Sequence, residues 1–137
     1  MFPPEAESFL QSMMTGYFDG GQDERRHCLI DDEEGDIQGF AYYQQQAATD
    51  RVWDLTMIAV QPRLQGRGRG TALLRQVEEN LRKSGQRLLL VETSATAQYD
   101  RTRTFYRQNA YDEEARIRDY WEAGDDLVVF RKDLGRS

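Results

Sequence analysis

The chain has 137 residues, of which 39% are hydrophobic and 31% charged, and it carries a net charge of −6. Those values describe one soluble globular domain over residues 1–137 and exclude a disordered chain. Carboxylates spread along the whole chain argue against nucleic acid as a general partner.

No apolar run nears the roughly 20 residues that a bilayer span needs. The start, MFPPEAESFL, lacks the basic flank and apolar stretch of a signal peptide, so a cytoplasmic protein with no membrane partner is expected. One cysteine, Cys28, and one histidine, His27, give no basis for a disulfide or a metal cluster, and no metal is expected. His27 reads as a surface residue.

In chain order, residues 5–18 place Phe9, Leu10, Met13, Met14 and Tyr17 at helical spacing ahead of Gly20-Gly21. Two strands, Cys28–Asp31 and Ile37–Gln44, follow around the turn Glu34-Gly35-Asp36. The run VWDLTMIAV, ending at Val60, is apolar and rich in β-formers, which predicts a central strand closed by Pro62. Residues 69–84 carry Leu73, Leu74, Val77 and Leu81 on one stripe with Gly85 past the end, the clearest helix in the chain. A short strand over Arg87–Glu92 and a helix over 100–109, opening at Asp100, come next. Strands over 113–121 and 127–132 flank Ala123-Gly124-Asp125-Asp126 as a hairpin. This order predicts an α/β fold with a mixed sheet, the strands on either side of the 69–84 helix running parallel through a right-handed crossover.

The chemistry concentrates between that central strand and that helix, at Gln65-Gly66-Arg67-Gly68-Arg69-Gly70. Glycines at alternate positions bare the backbone, so N–H groups can close on a phosphate, and the start of the following helix adds unsatisfied donors. Arg67 and Arg69 can neutralise phosphate charge, and Thr71 offers a hydroxyl. Arg63, Arg67, Arg69 and Arg75 form the one basic segment of an acidic chain, which points to an anionic ligand. A Walker loop would need a lysine before Thr71, and a dinucleotide fingerprint from Gly66 and Gly68 would need its third glycine where Thr71 stands. An RNA-binding RGG tract would be longer and unstructured.

Gln65, Gly68 and Gly70 do match the acyl-CoA signature Gln/Arg-x-x-Gly-x-Gly/Ala, and Phe105-Tyr106-x-x-x-Ala110-Tyr111 resembles the second acyl-CoA segment of the same family. Over roughly residues 28–133 the chain resembles the GNAT superfamily of N-acetyltransferases. The resemblance implies a bent mixed sheet whose parallel central strands, 52–60 and 87–92, splay apart to admit the pantetheine of acetyl-CoA. It also implies that backbone groups of Ile58, Ala59 and Val60 pair with the pantetheine, and that residues 65–71 hold the pyrophosphate. Tyr106 takes the place of the tyrosine beside the thioester sulfur, and Glu92 that of a carboxylate receiving the amine's proton. Asp54 is a second candidate for that task or for binding a cationic acceptor. With no cysteine near these motifs, direct transfer is expected.

Three departures from the family pattern stand out. Ala110 replaces a glycine, so Asn109 is expected to take the left-handed turn instead. Tyr99 replaces an asparagine that contacts pantetheine in relatives. Many relatives have a strand and helix ahead of residue 5, so this chain reads as a shortened variant or a truncated frame, with an open sheet edge that invites a homodimer. The expected acceptor is a small-molecule primary amine, with Tyr120, Trp121, Glu122, Asp125 and Asp126 as an acidic, aromatic wall. A peptide acceptor and a non-catalytic acyl-CoA-binding module are the alternatives.

Overall fold

The computed structural model describes residues 25–33 and 35–135. The helix expected over 5–18 and the expectation of a missing first strand fall outside the described residues. Among the described residues, six strands, β1 (Arg26–Glu33), β2 (Asp36–Gln45), β3 (Val52–Val60), β4 (Leu88–Ser94), β5 (Asp112–Glu122) and β6 (Asp125–Asp133), form one sheet in the order β1-β2-β3-β4-β6-β5. Only β3 and β4 are parallel, and every other neighbouring pair is antiparallel. The α-helices among the described residues are α1 (Arg69–Lys83), which crosses over from β3 to β4, and α2 (Asp100–Gln108). This is the mixed α/β sheet that the sequence led us to expect.

Helix α1 forms because its apolar residues recur every three to four positions, and Leu73, Leu74, Val77 and Leu81 are all buried. The helix approaches β2 closely at Gly39, where an added Cβ would lie 2.9 Å from the Ala59 carbonyl oxygen and 3.0 Å from Leu73 Cδ1. Beneath it Tyr43, Trp53, Leu55, Leu89, Val91, Val128 and Phe130 form the core, joined by Tyr106 and Tyr111. His27 stacks on Trp53 with ring centroids 5.3 Å apart, so it belongs to the packing of β1 on the sheet rather than to the open surface.

Asn109 does not take the left-handed turn expected of it, and the final hairpin forms as expected. Asn109 keeps a negative φ of −96° while Ala110 adopts φ 69°. Asn109 is held instead by its side-chain amide, which donates to the Phe105 carbonyl at 2.8 Å, so the next residue makes the left-handed turn despite its Cβ. The final hairpin carries an irregularity: Ile117 pairs with Leu127 but Glu122 with Asp125, so residues 118–121 bulge opposite Asp126 alone. Asp119 sits at φ 54° in this bulge, its N–H bonded to Asp126 and its carboxylate accepting from the Gly124 N–H.

Candidate functional site

Strands β3 and β4 stay paired only from Val52–Leu88 to Leu55–Val91. Beyond that point β3 follows β2 as far as Val60, and β4 follows β6 as far as Ser94. The divergence has a local cause. Tyr43 faces Leu55 and Tyr42 faces Met57, which leaves Thr56 as the extra residue of a β-bulge. A bulge bends its own strand and increases the twist, and here it turns β3 away just where β4 pairing stops.

A cavity of about 680 Å³ adjoins this wedge. One wall is Met57, Ile58, Ala59 and Val60. The loop contributes Gln65, Gly66, Gly68, Gly70 and Thr71, and the opposite wall is Gln98, Arg101, Thr102, Phe105 and Tyr106. The loop is anchored by buried Leu64 and by the Gln65 side-chain amide, which donates to the Val60 carbonyl at 3.1 Å. Gly66 and Gly68 both have φ 79°, with no atom within 4 Å of where a Cβ would sit, so the loop presents bare backbone. The first helical hydrogen bond of α1 runs from the Ala72 N–H to the Gly68 carbonyl at 3.0 Å. The N–H groups of Arg69, Gly70 and Thr71 therefore have no acceptor within the helix, and no side chain caps it. Donors with no acceptor inside the helix, the positive end of that helix and an open glycine cradle suit the pyrophosphate of acetyl-CoA.

The two loop arginines do not line this cavity. Arg67 is exposed, and Arg69 turns to Asp31 on β1 at 3.1 Å, beside a smaller cavity of about 390 Å³. The cation that does line it, Arg101, went unread in the sequence. The signal was present in the spacing of Gln98, Arg101, Thr102 and Phe105, which lie at helical intervals on one face. Tyr99, standing where relatives keep an asparagine, is 40% exposed and outside the lining.

Tyr106 is 3% exposed, its ring packed against Phe105, Tyr111 and Phe130 with centroids 5.2–5.6 Å apart. Burial raises its pKa, so the phenol keeps its proton at neutral pH. Asp54 pairs with Leu90 across β3 and β4, and Glu92 lies two residues further along β4. Side chains alternate along a strand, so Asp54 and Glu92 share the face opposite the core residues Leu55 and Val91. Burial, reinforced by the Glu92 carboxylate, pushes Asp54 up to about 6. The two acids thus lie on one side of the sheet and Tyr106 on the other, with the wedge between them.

Of the expected acceptor wall, Trp121 donates its indole N–H to the Thr93 carbonyl at 3.3 Å, one residue from Glu92. Asp125 and Asp126 are engaged elsewhere, with the Ser94 hydroxyl and with Arg116.

The Acetyltransferase (GNAT) family model matches residues 2–124. A protein from Desulfovibrio desulfuricans assigned to the GNAT family is 34% identical, with a TM-score of 0.90 over 98% of this chain and 84% of that one. The Escherichia coli ribosomal-protein-S18-alanine N-acetyltransferase is 25% identical, with a TM-score of 0.71 over 85% of this chain and 74% of that one. An aminoglycoside 6'-N-acetyltransferase complexed with coenzyme A shares the fold at 15% identity, with a TM-score of 0.73 over 96% of this chain and 81% of that one. No curated protein sequence matches. The chain belongs to the GNAT family and is an acetyltransferase.

Proposed function

We propose that the protein transfers the acetyl group of acetyl-CoA directly to a primary amine of a small molecule. The observation that carries this reading is the wedge between β3 and β4, with Asp54 and Glu92 on one side and Tyr106 on the other. Acetyl-CoA would supply the activated acyl group. Residues 58–60 and the 65–71 loop would hold its pantetheine and pyrophosphate, leaving the thioester near the Tyr106 hydroxyl.

Asp54 takes the proton from the incoming ammonium. A base works best when its pKa lies near the working pH, and a carboxyl at about 6 meets that condition. Its partial burial favours it over Glu92, which is exposed and better suited to holding the positive charge of the acceptor. Tyr106 donates a hydrogen bond to the departing sulfur. Its hydroxyl has no hydrogen-bond partner among the described residues. Cys28 is not a competing nucleophile: it lies on β1, separated from β3 by β2, and burial pushes its thiol up to about 11.

The likeness to the ribosomal-protein-alanine acetyltransferase favours a peptide amine as the second reading. Thiol release from acetyl-CoA, followed across a panel of small amines and N-terminal peptides, separates the two. Turnover with small amines supports the first reading, and turnover with peptides alone supports the second. Cofactor binding without turnover on any acceptor would mean a non-catalytic binding module.

A further inference from the structure

We propose that Arg101 supplies the positive charge that holds the pyrophosphate of acetyl-CoA, the part that the loop arginines were expected to play. This rests on the acetyl-CoA reading of the cavity given above.

Among the described residues, Arg101 is the one charged side chain in the cavity lining, and no carboxylate lines the cavity with it. It has no ion pair or hydrogen bond to any other side chain among the described residues. Its neighbours on α2 are committed. Arg103 donates to the carbonyls of Ser94 at 2.7 Å and Thr96 at 2.8 Å, and Arg107 pairs with Glu113 at 3.3 Å. Across the cavity, Arg69 is likewise committed, to Asp31.

Position along α2 selects the part of the ligand that Arg101 meets. It lies five residues before Tyr106 in sequence, a separation of about 7.5 Å along a helix axis. Tyr106 marks the reacting end, so Arg101 faces a portion well removed from it. The bare backbone of Gly66, Gly68 and Gly70 lines the same cavity, and a Cβ added at Gly70 would lie 3.5 Å from the Phe105 ring of α2, so loop and helix stand together there. Backbone N–H groups and a helix end offer partial charges only, and a full cation in the same lining adds to them. A guanidinium supplies one, with the planar pair of donors that grips phosphate oxygens.

The test is calorimetric binding of CoA and of 3'-dephospho-CoA to the full chain, wild type against Arg101→Ala and Arg101→Lys. Loss of a charge-assisted contact should weaken both ligands by the same factor, roughly 10- to 100-fold in Arg101→Ala. Arg101→Lys should lie between that variant and wild type, and unliganded melting temperatures should be unchanged. Wild-type affinity for CoA should also fall more steeply with added salt than that of Arg101→Ala. CoA binding by Arg101→Ala within twofold of wild type overturns the proposal. So does a loss confined to CoA and absent with 3'-dephospho-CoA, which would assign Arg101 to the 3'-phosphate. A wild-type chain that binds neither ligand overturns the acetyl-CoA reading itself, a result distinct from the other two.

Discussion

The Glu78 carboxylate on α1, fully buried, accepts the Lys132 ammonium of β6 through both oxygens at 3.1 Å. Tyr111 donates to it at 2.8 Å and Arg75 at 2.9 Å, while Lys132 also reaches the Asn109 carbonyl at 3.0 Å. One carboxylate therefore ties the crossover helix to the sheet and to the corner after α2, which carries Tyr106. Removing one partner of such a cluster leaves the other charge buried and unpaired. Glu78→Ala should cost about 3–5 kcal/mol in denaturant unfolding. A loss below 1 kcal/mol would show that water reaches Lys132 in the folded protein.

Acetyl-CoA at 100 times its dissociation constant should stabilise the fold by about 2.7 kcal/mol, seen as a rise in melting temperature. Gly68→Glu places a carboxylate on the open loop and forces a Cβ onto φ 79°. It should abolish that rise while the unliganded chain still melts cooperatively. A full ligand response in this variant would remove the loop from the binding site.

Tyr106→Phe keeps the ring contacts and deletes the donor. Turnover should fall by roughly 10² to 10⁴, with the dissociation constant of acetyl-CoA little changed. Near-normal turnover would take the tyrosine out of the reaction.

The acids separate by their pH profiles. With Asp54 as base, kcat/KM should climb with pH through about 6, and Asp54→Asn should lose both that limb and most of the rate. Glu92→Gln should keep the limb but move it to lower pH, because the like charge that raises Asp54 is gone. If Glu92→Gln abolishes the limb instead, Glu92 is the base.

The same shift has a consequence for stability. Between the ordinary carboxylate value and about 6 the folded chain binds more protons at Asp54 than the unfolded chain does, so this group's contribution falls as pH rises through that window. Asp54→Asn should therefore be the more stable protein above pH 6, by about 1–2 kcal/mol after discounting for its partial exposure. Their melting curves should converge near pH 4. Equal stability at pH 7 would mean that Asp54 is solvated in the folded state.

Patterns carried by neighbours in the chain were legible in the sequence. The apolar stripe of α1, the β-rich run of β3 and the Gln65–Gly70 loop are local, since a helix repeats every three to four residues and a bare loop needs only its glycines. Strand ends were read short, as with Cys28–Asp31 inside Arg26–Glu33, because exposed polar residues continue a ladder whose bonds are made by backbone. Glu78 could have been found from its place four residues after Leu74 on the apolar stripe, but nothing local names Lys132, Tyr111 or Arg75 together as its partners. The shared face of Asp54 and Glu92 depends on the β3–β4 register, and the wedge depends on one extra residue at Thr56. Arg69 reads as a phosphate ligand until Asp31, 38 positions away in the chain, takes it. Arg101 becomes a candidate only once α2 and the loop line one cavity. Spacing determines which face of an element a side chain occupies, but which charge meets which is set by contacts between elements, and only the folded chain makes those.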